Sequence, residues 1–218
     1  AGESIRFNNF NVSPVCAPTR SSLLTGRYSL RTGVTDTYNG GAIMSSNEIT
    51  LAEIFNENNY KTGIFGKWHL GDNYPSRPSD QGFQESLIHL SGGIGQVGDF
   101  TNYYKGSTSY YDPILWLNNK QEKYNGYCSD IFTDEAIKFI EDNKDNQFFC
   151  YLSFNAPHTP LQVPDKYYQM YKDIDPTNIN GESLEMTEKN IIDAKKIYGM
   201  VTNIDENFGK LINKLDEL

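Results

Sequence analysis

The spacing of apolar residues along the chain predicts three amphipathic helices. The first is predicted over 48–59, where Ser46 and Asn47 are suited to cap it. The second is predicted over 129–143, which has one apolar face and one charged face. The third covers 187–218, where apolar positions lie alternately four and three residues apart. The apolar positions of the three helices are Leu51, Ile54 and Phe55; Phe132, Ala136, Phe139 and Ile140; and Ile197, Val201, Ile204, Phe208, Leu211 and Leu215.

Two further runs predict strands. Residues 61–67 form a short strand, and 147–154 form a nearly continuous apolar and aromatic run, which is typical of a buried central strand. Because the second run leads directly into 155–160, His158 is expected at the carboxyl end of a strand, the usual ligand side of an open α/β sheet. The predicted fold class is therefore α/β, a sheet flanked by helices. We expect the helix over 187–218 to pack its apolar stripe on this sheet, although its spacing is also compatible with a coiled coil.

The remaining stretches predict little regular structure. Residues 3–12 are expected to be extended, and 32–46 to form a loop that contains glycines. The region 72–127 is turn-rich and aromatic, and regular elements are hard to assign within it. Its aromatic residues are equally compatible with two roles, substrate selectivity and packing of the loop against the domain. These residues are Tyr103, Tyr104, Tyr110, Tyr111 and Trp116.

Composition narrows the class of protein and of partner. With 218 residues, of which 38% are hydrophobic, the chain can bury one substantial core, and no apolar run approaches the length of a membrane span. The formal net charge of -9 disfavours nucleic acid as a partner, so an anionic substrate would need a local cluster of cations. Three cysteines do not make a disulfide framework, and Cys128 and Cys150 are expected to be buried thiols.

The stretch that starts at Cys16 combines a thiol, a helix start and a fixed cation. Pro18 suits the first turn of a helix and Gly26 suits a left-handed C-cap, so a helix is predicted from near Cys16 to Gly26. Arg20 is four residues after Cys16 and shares its face of the helix. The amides at the helix start favour an anion, or a cysteine of lowered pKa. A buried cysteine in an ordinary helix is the simpler alternative, and the full spacing of the residues makes it the weaker one.

Two of the three histidines lie in compact motifs. Lys67 and His69 follow the strand predicted over 61–67, and an extended backbone would point both side chains to the same side. A cation beside an imidazole suits an anionic reacting group, whereas a solvated lysine and a structural histidine would be the default for either residue alone. His158 lies in an Ala-Pro-His-Thr-Pro sequence. His89 matches no motif and is interpreted as structural.

Three sequence motifs of this chain resemble those of the type I sulfatases. Cys16, Pro18 and Arg20, followed by Leu-Thr-Gly-Arg, resemble the signature in which the cysteine is converted to formylglycine. The residue after the proline is threonine, where many members carry serine. Gly-Lys-Trp-His-Leu-Gly over 66–71 resembles the second motif of the family, and Ala-Pro-His-Thr-Pro over 156–160 resembles the third.

The resemblance implies an alkaline-phosphatase-like α/β fold and hydrolysis of sulfate monoesters with a divalent cation, usually calcium. Cys16, as hydrated formylglycine, would attack sulfur with one hydroxyl, and the second hydroxyl would expel the covalent sulfate. Arg20 would hold the formylglycine oxygens, and Lys67 would bind the substrate and neutralise its sulfate charge. His69 would take the proton from the second hydroxyl, while His158 would bind the substrate and protonate the leaving oxygen.

The resemblance also implies a maturation partner, an exported location and an incomplete site. A formylglycine-generating enzyme would modify the cysteine, and the protein would be periplasmic, secreted or lysosomal. Members carry an Asp-Asp metal pair before the cysteine motif and an Asp-Asn pair after the final helix, so 1–218 is expected to be an internal part of a larger catalytic domain. Calcium takes about six to eight oxygen ligands, and the matched motifs supply only Cys16 as formylglycine.

Two other functions stay open at this point. A phosphonate or phosphate monoester hydrolase of the same superfamily would use a similar site, because tetrahedral oxyanions share much of the required geometry. A noncatalytic binding module would keep an unmodified thiol at Cys16. For the substrate, the tyrosines over 103–127 are compatible with a sulfated carbohydrate or an aryl alcohol, since their rings could stack on a sugar or an aryl ring.

Overall fold

A five-stranded mixed sheet forms the centre of the structure, a computed structural model that describes residues 5–38, 40–96, 99, 109–179 and 182–218. The strand order is β4-β3-β2-β1-β5. The bounds of these strands are β1 (Lys61–Lys67), β2 (Glu85–His89), β3 (Ile114–Leu117), β4 (Lys120–Lys123) and β5 (Phe148–Ser153). The strand predicted over 61–67 is thereby confirmed.

The three parallel strands of this sheet end together at one edge. β1 pairs in parallel with both β2 and β5, and its last residues Gly66 and Lys67 lie opposite Ser153 and His89, respectively. β3 pairs antiparallel with β2 and β4. Side chains that follow β1, β2 and β5 are therefore brought to the same side of the molecule.

The prediction that 147–154 forms a buried central strand is wrong for its position and its burial. β5 lies at the edge of the sheet, and among the described strands it pairs only with β1. Five of its six residues are half-buried. The apolar run reports correctly that this segment is a strand, but an edge strand leaves part of its side chains open to solvent.

Five α-helices accompany the sheet in the described part of the chain. They are α1 (Cys16–Thr25), α2 (Leu51–Glu57), α3 (Cys128–Asp142), α4 (Asp165–Tyr171) and α5 (Glu188–Glu217). Two 3-10 turns, Ser29–Arg31 and Pro78–Asp80, and a short ribbon of β6 (Asn178–Ile179) and β7 (Glu182–Ser183) complete the structure. The helices predicted over 129–143 and 187–218 are confirmed to within a residue or two at each end.

The helix predicted from near Cys16 to Gly26 is confirmed as α1. Its start is set by Val15, which is extended, and by Pro18 in the first turn, where the missing amide proton costs nothing. Its end is set by Gly26, which is left-handed with φ 67° and donates its N–H to the Ser22 carbonyl at 2.9 Å.

α2 begins later than its predicted range of 48–59. Its cap is Thr50 rather than Ser46 or Asn47. The Thr50 hydroxyl accepts the N–H of Glu53, and the Glu53 carboxylate accepts the N–H of Thr50, which together form a capping box. This reciprocal pair satisfies two amides of the first turn, so it determines where the helix starts.

Two hydrophobic clusters lie on the two faces of the sheet. The first joins the sheet to α3 and includes Phe65, Leu87, Leu115, Phe132, Ala136, Phe139, Ile140 and Met200. The second joins the opposite face to α1 and α2 and includes Ala17, Leu24, Ala52, Ile64, Trp68, Phe83 and Ile88. Successive residues of β1 and β2 alternate between the two clusters, which is the expected consequence of strand geometry. The sheet is therefore covered by helices on both faces.

The prediction that the last helix packs on the sheet is wrong. α5 packs on α3 and α4, because α3 already covers that face of the sheet. Its buried positions are Gly199, Met200, Asn203 and Asn207, whereas Val201, Phe208 and Leu215 of the predicted stripe are 48%, 55% and 41% exposed. Ile204 and Leu211 of the stripe pack against the cluster with α3, and the buried face also includes polar residues that bond to the neighbouring helices.

Three strands lie in the region over 72–127 where sequence patterns assigned none. β2 is buried between β1 and β3, and β3 and β4 form a hairpin. Tyr110 and Tyr127 are 0% and 4% exposed, so of the two roles left open for the aromatic residues of this region, these two have the packing role. Tyr103 and Tyr104 lie outside the described residues.

The described part of the predicted extended segment, 5–12, is exposed and contains no regular element. The loop expected over 32–46 has no helix or strand in its described residues. Among the helices in the described ranges, none combines the length and the apolar character that crossing a bilayer requires.

Candidate active site

The candidate residues meet at the edge of the sheet where the parallel strands end. Lys67 is the last residue of β1, His69 follows it by two residues, and Cys16 is the first residue of α1. His158 lies in the loop after β5, as predicted. Chain segments more than 130 residues apart in sequence are joined here, since Arg20 bonds directly to Ser153.

Cys16 and His69 are in direct contact. The Cys16 Sγ lies 3.4 Å from Nδ1 of the His69 ring. Cys16 is a free, partly exposed thiol at the N-terminus of α1, where the backbone amides and the positive end of the helix dipole favour negative charge.

The orientation of the His69 ring is fixed from two sides. Its Nε2 lies 2.9 Å from the Thr37 carbonyl oxygen, which can only accept, so Nε2 carries the proton. In the neutral ring Nδ1 is then free to accept a proton from the Cys16 side chain. Gly92 lies against the other side of the ring. A Cβ at position 92 would be only 2.8 Å from Cε1 of His69. Only a residue without a side chain fits there.

Lys67 and His69 both lie at the site, as predicted, but the explanation from an extended backbone is wrong. The strand ends at Lys67, and His69 has a left-handed backbone with φ 59°, so strand alternation does not place its side chain. Hydrogen bonds from the backbone N–H of Trp68 and His69 to residues 89 and 90 hold this turn. The turn, rather than an extended chain, brings the imidazole to Cys16.

Arg20 is anchored to the ends of two strands. Its guanidinium donates to the Lys67 carbonyl at 2.7 Å and to the Ser153 Oγ at 3.1 Å, and the Ser153 hydroxyl also donates to the Lys67 carbonyl. Arg20 therefore ties α1 to both β1 and β5 while its charge stays within the site.

Burial and neighbouring cations shift the pKa values of this cluster. Lys67 is only 2% exposed; burial, and then the Arg20 charge, lower its pKa to about 8, although Cys16 partly opposes the shift. Burial, followed by the charge of Lys67, lowers the pKa of His69 to about 4. Burial also lowers the pKa of Arg20. Two poorly solvated cations beside a neutral imidazole make an environment in which a bound anion relieves mutual repulsion.

His158 is half-buried and lies close enough for its charge to contribute to the lowered pKa of His69. Its Nδ1 lies 2.8 Å from the Thr159 carbonyl and therefore donates to it. Nε2 is the nitrogen left for a ligand. The other histidine, His89, is fully buried beneath this edge.

The described residues do not by themselves fit a calcium ion. Over 5–38, 40–96, 99, 109–179 and 182–218, no group of three or more His, Cys, Asp or Glu side chains could hold a metal. The groups around Cys16 are cations and imidazoles rather than the several oxygen ligands that calcium takes.

The sequence-based account missed three residues that shape the site. Ser153 was assigned only to a strand, although the rule that parallel strands share a ligand edge could have indicated it. No sequence pattern indicates Thr37 or Gly92. Thr37 acts through its backbone carbonyl, and Gly92 acts through the absence of a side chain. Both other cysteines are free as predicted; Cys128 is buried, whereas Cys150 is half-buried. Burial raises the pKa of both thiols, that of Cys150 to about 12.

Comparisons with known proteins agree on one family. The family model described as Sulfatase matches residues 1–218. An uncharacterized sulfatase of Schizosaccharomyces pombe is 32% identical over 223 residues, which cover 92% of this chain and 39% of the relative. An N-acetylglucosamine-6-O-sulfatase of Bacteroides thetaiotaomicron is 37% identical over 163 residues, which cover 72% of this chain and 25% of the relative.

A solved structure shows the same fold. The crystal structure of Ps i-CgsB in complex with k-i-k-neocarrahexaose superposes with a TM-score of 0.72 and 30% identity, covering 93% of this chain and 44% of that chain. The chain thus spans about two fifths of the length of the S. pombe relative and of this structure. The fold is the alkaline-phosphatase-like α/β fold expected from the motifs. On the match of the family model to all 218 residues, the chain belongs to the sulfatase family.

Proposed function

We propose that this chain supplies the nucleophile, two cations and two imidazoles of an enzyme that hydrolyses sulfate monoesters. The observation that carries the proposal is the contact of Cys16 Sγ with His69 Nδ1 at 3.4 Å, next to the buried Lys67 and Arg20. A free thiol, a neutral base and two cations at one helix N-terminus are the groups that a reaction on a tetrahedral anion needs.

The nucleophile derives from Cys16. A formylglycine made from this residue would supply, as its hydrate, a hydroxyl for attack on sulfur. The position fits such a group, because Cys16 is partly exposed at the start of α1 and faces the unprotonated nitrogen of His69. The α1 amides favour negative charge on the oxygens at this position.

His69 accepts a proton at Nδ1. Its Nε2–H is held by the Thr37 carbonyl, which leaves Nδ1 as the acceptor toward Cys16. Since burial and Lys67 lower its pKa to about 4, the ring is neutral near pH 7 and available as a base.

Lys67 binds and stabilises the sulfate, and Arg20 holds the formylglycine oxygens beside it. Arg20 cannot swing away, because its guanidinium is bonded to the Lys67 carbonyl and to Ser153. Lys67 is buried beside it and has no carboxylate partner within 4.0 Å in the described part of the chain. Charge that develops on the sulfate oxygens is therefore met by fixed cations in a poorly solvated site, where their effect is larger than in water.

His158 donates a proton to the oxygen of the leaving group. Its Nδ1–H is committed to the Thr159 carbonyl, so a second proton on Nε2 is available for the leaving oxygen.

The remaining metal ligands are proposed to lie elsewhere in the parent protein. The described residues do not fit calcium alone, and the family's Asp-Asp and Asp-Asn pairs would supply oxygen ligands beside Cys16. In this proposal 1–218 is one part of a larger catalytic domain.

A sulfated carbohydrate is the proposed substrate class. The B. thetaiotaomicron relative is named for a sulfated sugar, and the solved Ps i-CgsB structure holds an oligosaccharide. A cleft of about 560 Å³ beside His69 is lined by the exposed rings of Tyr38 and Tyr74 and by the polar Asp72 and Asn73, among other residues. Aromatic rings that stack on sugar faces and carboxylates that accept sugar hydroxyls suit such a ligand.

Maturation and location follow from the same proposal. A formylglycine-generating enzyme is the partner needed to convert Cys16. An exported location, periplasmic, secreted or lysosomal, is proposed from the family.

The function is tested with the full-length parent protein produced together with a formylglycine-generating enzyme. We expect hydrolysis of an activated aryl sulfate, an aldehyde at Cys16 by peptide mass spectrometry, and loss of turnover in Cys16→Ala. Lys67→Ala should lower kcat by about 100- to 1,000-fold, because a fixed charge on the transition state is lost. Lys61→Ala, at the other end of β1, removes an exposed lysine as a matched control and should retain turnover.

Two results would contradict this function. Faster hydrolysis of a matched aryl phosphonate than of the aryl sulfate would favour the phosphonate hydrolase instead. An unmodified thiol at Cys16 in protein from its native host, together with no turnover of either ester, would favour a noncatalytic binding module.

A further inference from the structure

A set of partly buried hydrogen bonds joins the loop that carries His158 to the region over 109–127. The Tyr110 hydroxyl donates to the His158 carbonyl at 2.7 Å. Further along the loop, the Gln162 side chain accepts the Tyr110 N–H at 2.8 Å, and the Gln162 carbonyl accepts the Tyr127 hydroxyl at 2.8 Å. The loop is thus held both at His158 itself and four residues later.

Tyr110 is itself fixed by its surroundings. Its side chain is fully buried, and the Asn155 amide nitrogen donates to its hydroxyl oxygen. Burial raises the pKa of Tyr110, so the phenol keeps its proton and remains a donor to His158. Because the ring is rigid and both of its hydrogen bonds are oriented, Tyr110 can fix the position of the His158 backbone while it stays uncharged.

A buried polar group lies behind Asn155. Both nitrogens of His89 and the side-chain oxygen of Asn155 have no hydrogen-bond partner among the described residues. Asn155 nevertheless faces the ring closely enough to raise the pKa of His89, against the stronger lowering by burial. A neutral imidazole offers the single N–H that this amide oxygen needs, so His89 and Asn155 are chemically matched.

We propose that Tyr110, held by Asn155, is a positioning residue for His158: its hydroxyl fixes the backbone of His158 so that Nε2 faces the leaving oxygen. The inference rests on the proposed sulfatase function, in which His158 protonates that oxygen. Tyr110 does not touch the reacting atoms. It acts on the geometry of proton transfer. A displacement of the proton donor by about 1 Å can lower the rate of such a step about 100-fold.

Leaving groups of different basicity distinguish positioning of His158 from a general loss of structure. Proton donation matters most for a poor leaving group and little for an activated one. In the full-length, matured enzyme we expect Tyr110→Phe to slow phenyl sulfate by about 10- to 100-fold while nitrophenyl sulfate changes by about twofold or less. His158→Ala should show the same selectivity, and adding Tyr110→Phe to it should have no further effect.

Tyr127→Phe is the matched control. It removes a hydroxyl of a buried tyrosine that stacks on Tyr110 at a ring distance of 5.7 Å and bonds the same loop, but at Gln162. We expect it to leave the dependence on leaving group unchanged. An equal slowing of both sulfates by Tyr110→Phe, or the same selectivity in Tyr127→Phe, would overturn the inference.

A second measurement does not depend on sulfatase activity. In protein labelled with ¹⁵N-histidine, Tyr110→Phe should shift the His158 ring nitrogen signals from their wild-type positions, whereas Tyr127→Phe should not. Unchanged His158 signals in Tyr110→Phe would overturn the positioning role. If these signals move but the wild type cleaves no sulfate ester, the proposed function fails and the positioning of His158 by Tyr110 stands.

Discussion

Arg20 shows how a single residue can serve both fold and site. Its guanidinium is bonded to the end of β1 and to Ser153 of β5, so the same charge that faces the anion also fixes α1 against the sheet. The planar fork of arginine makes this possible, since separate N–H groups reach separate acceptors. A lysine could supply the charge without the second anchor.

His69 and His89 show opposite uses of burial. Both have pKa values lowered by burial first and by Lys67 second. His69 has partners on both nitrogens, with Thr37 and Cys16, and is therefore oriented as a base. His89 has neither nitrogen paired among the described residues and contributes its neutral ring to the interior.

Burial of His89 predicts a specific acid sensitivity. The folded protein does not protonate this ring near its usual value of 6.5, because burial, Lys67, Arg20 and His69 all oppose the charge. The unfolded chain does, so it binds more protons than the folded chain below pH 6.5, and the stability that the neutral ring allows is lost as the pH falls.

We expect His89→Gln to remove this contribution. Between pH 6.5 and pH 5 the free energy of unfolding of the wild type should fall by about 1.5 kcal/mol more than that of the variant, because the slope rises toward its limit of about 1.4 kcal/mol per pH unit as the unfolded ring becomes fully protonated. Urea unfolding at a series of pH values measures it. Between pH 7.5 and 8, where the ring is almost entirely neutral in both states, the difference between the two proteins should stay nearly constant. Parallel curves down to pH 5 would contradict the prediction.

At the scale of elements, the start of α1 and the carboxyl ends of β1 and β5 create the site, and helix packing supports it from behind. α3 lies on the sheet, and α5 lies on α3 and α4. The contact between these helices is partly polar. Asp130 of α3 accepts from the side-chain amides of Asn203 at 2.9 Å and Asn207 at 2.7 Å, and Asn203 also donates to the Tyr167 hydroxyl of α4.

This polar contact predicts the cost of removing one amide. Asn203→Ala should lower the free energy of unfolding by about 1–3 kcal/mol, because a fully buried donor to a carboxylate is lost. Asp205→Ala, on the exposed side of the same helix, is the control and should change it by about 0.5 kcal/mol or less. Thermal or urea unfolding measures both. Equal effects would mean that α5 is not held by these bonds.

At the scale of the whole molecule, one sheet carries both hydrophobic clusters. Ile64 and Ile88 face the cluster with α1 and α2, while Phe65 and Leu87 face the cluster with α3. Loss of packing on one face is therefore transmitted through the shared strands to the other. The formal charge of -9 contrasts with the buried cations of the site, so attraction of an anionic substrate is a local property.

The shared sheet predicts that the two faces lose stability together. Ile64→Val removes one methylene from the face with α1 and α2 and should cost about 0.5–1.5 kcal/mol. We expect the slowest-exchanging amides of α3, on the opposite face, to lose the same free energy of protection in native-state hydrogen exchange. Unchanged protection in α3, with reduced protection only in α2, would show that the faces unfold independently.

Several features of the fold and site follow from local sequence alone. Helix α1, strand β1 and helices α3 and α5 were predicted close to their observed limits, because caps and hydrophobic periodicity are encoded within a few residues. The motifs around Cys16, Lys67 and His158 indicated which residues to bring together. The start of α2 was missed because Ser46, Asn47 and Thr50 are all good caps, and only Thr50 has Glu53 three residues later as its partner.

The sequence by itself determined helices α1, α3 and α5, the first strand and the identity of the candidate site residues, since each depends on side chains that are neighbours along the chain. Only the tertiary structure decided that β5 lies at the edge of the described sheet and that α5 rests on other helices, because partners of an apolar surface are not encoded in its period. The tertiary structure likewise decided the contact between Cys16 and His69. The left-handed turn at His69, the Thr37 carbonyl and the bare backbone of Gly92 aim one nitrogen at the thiol, and each acts across a distance in sequence that no local pattern reports.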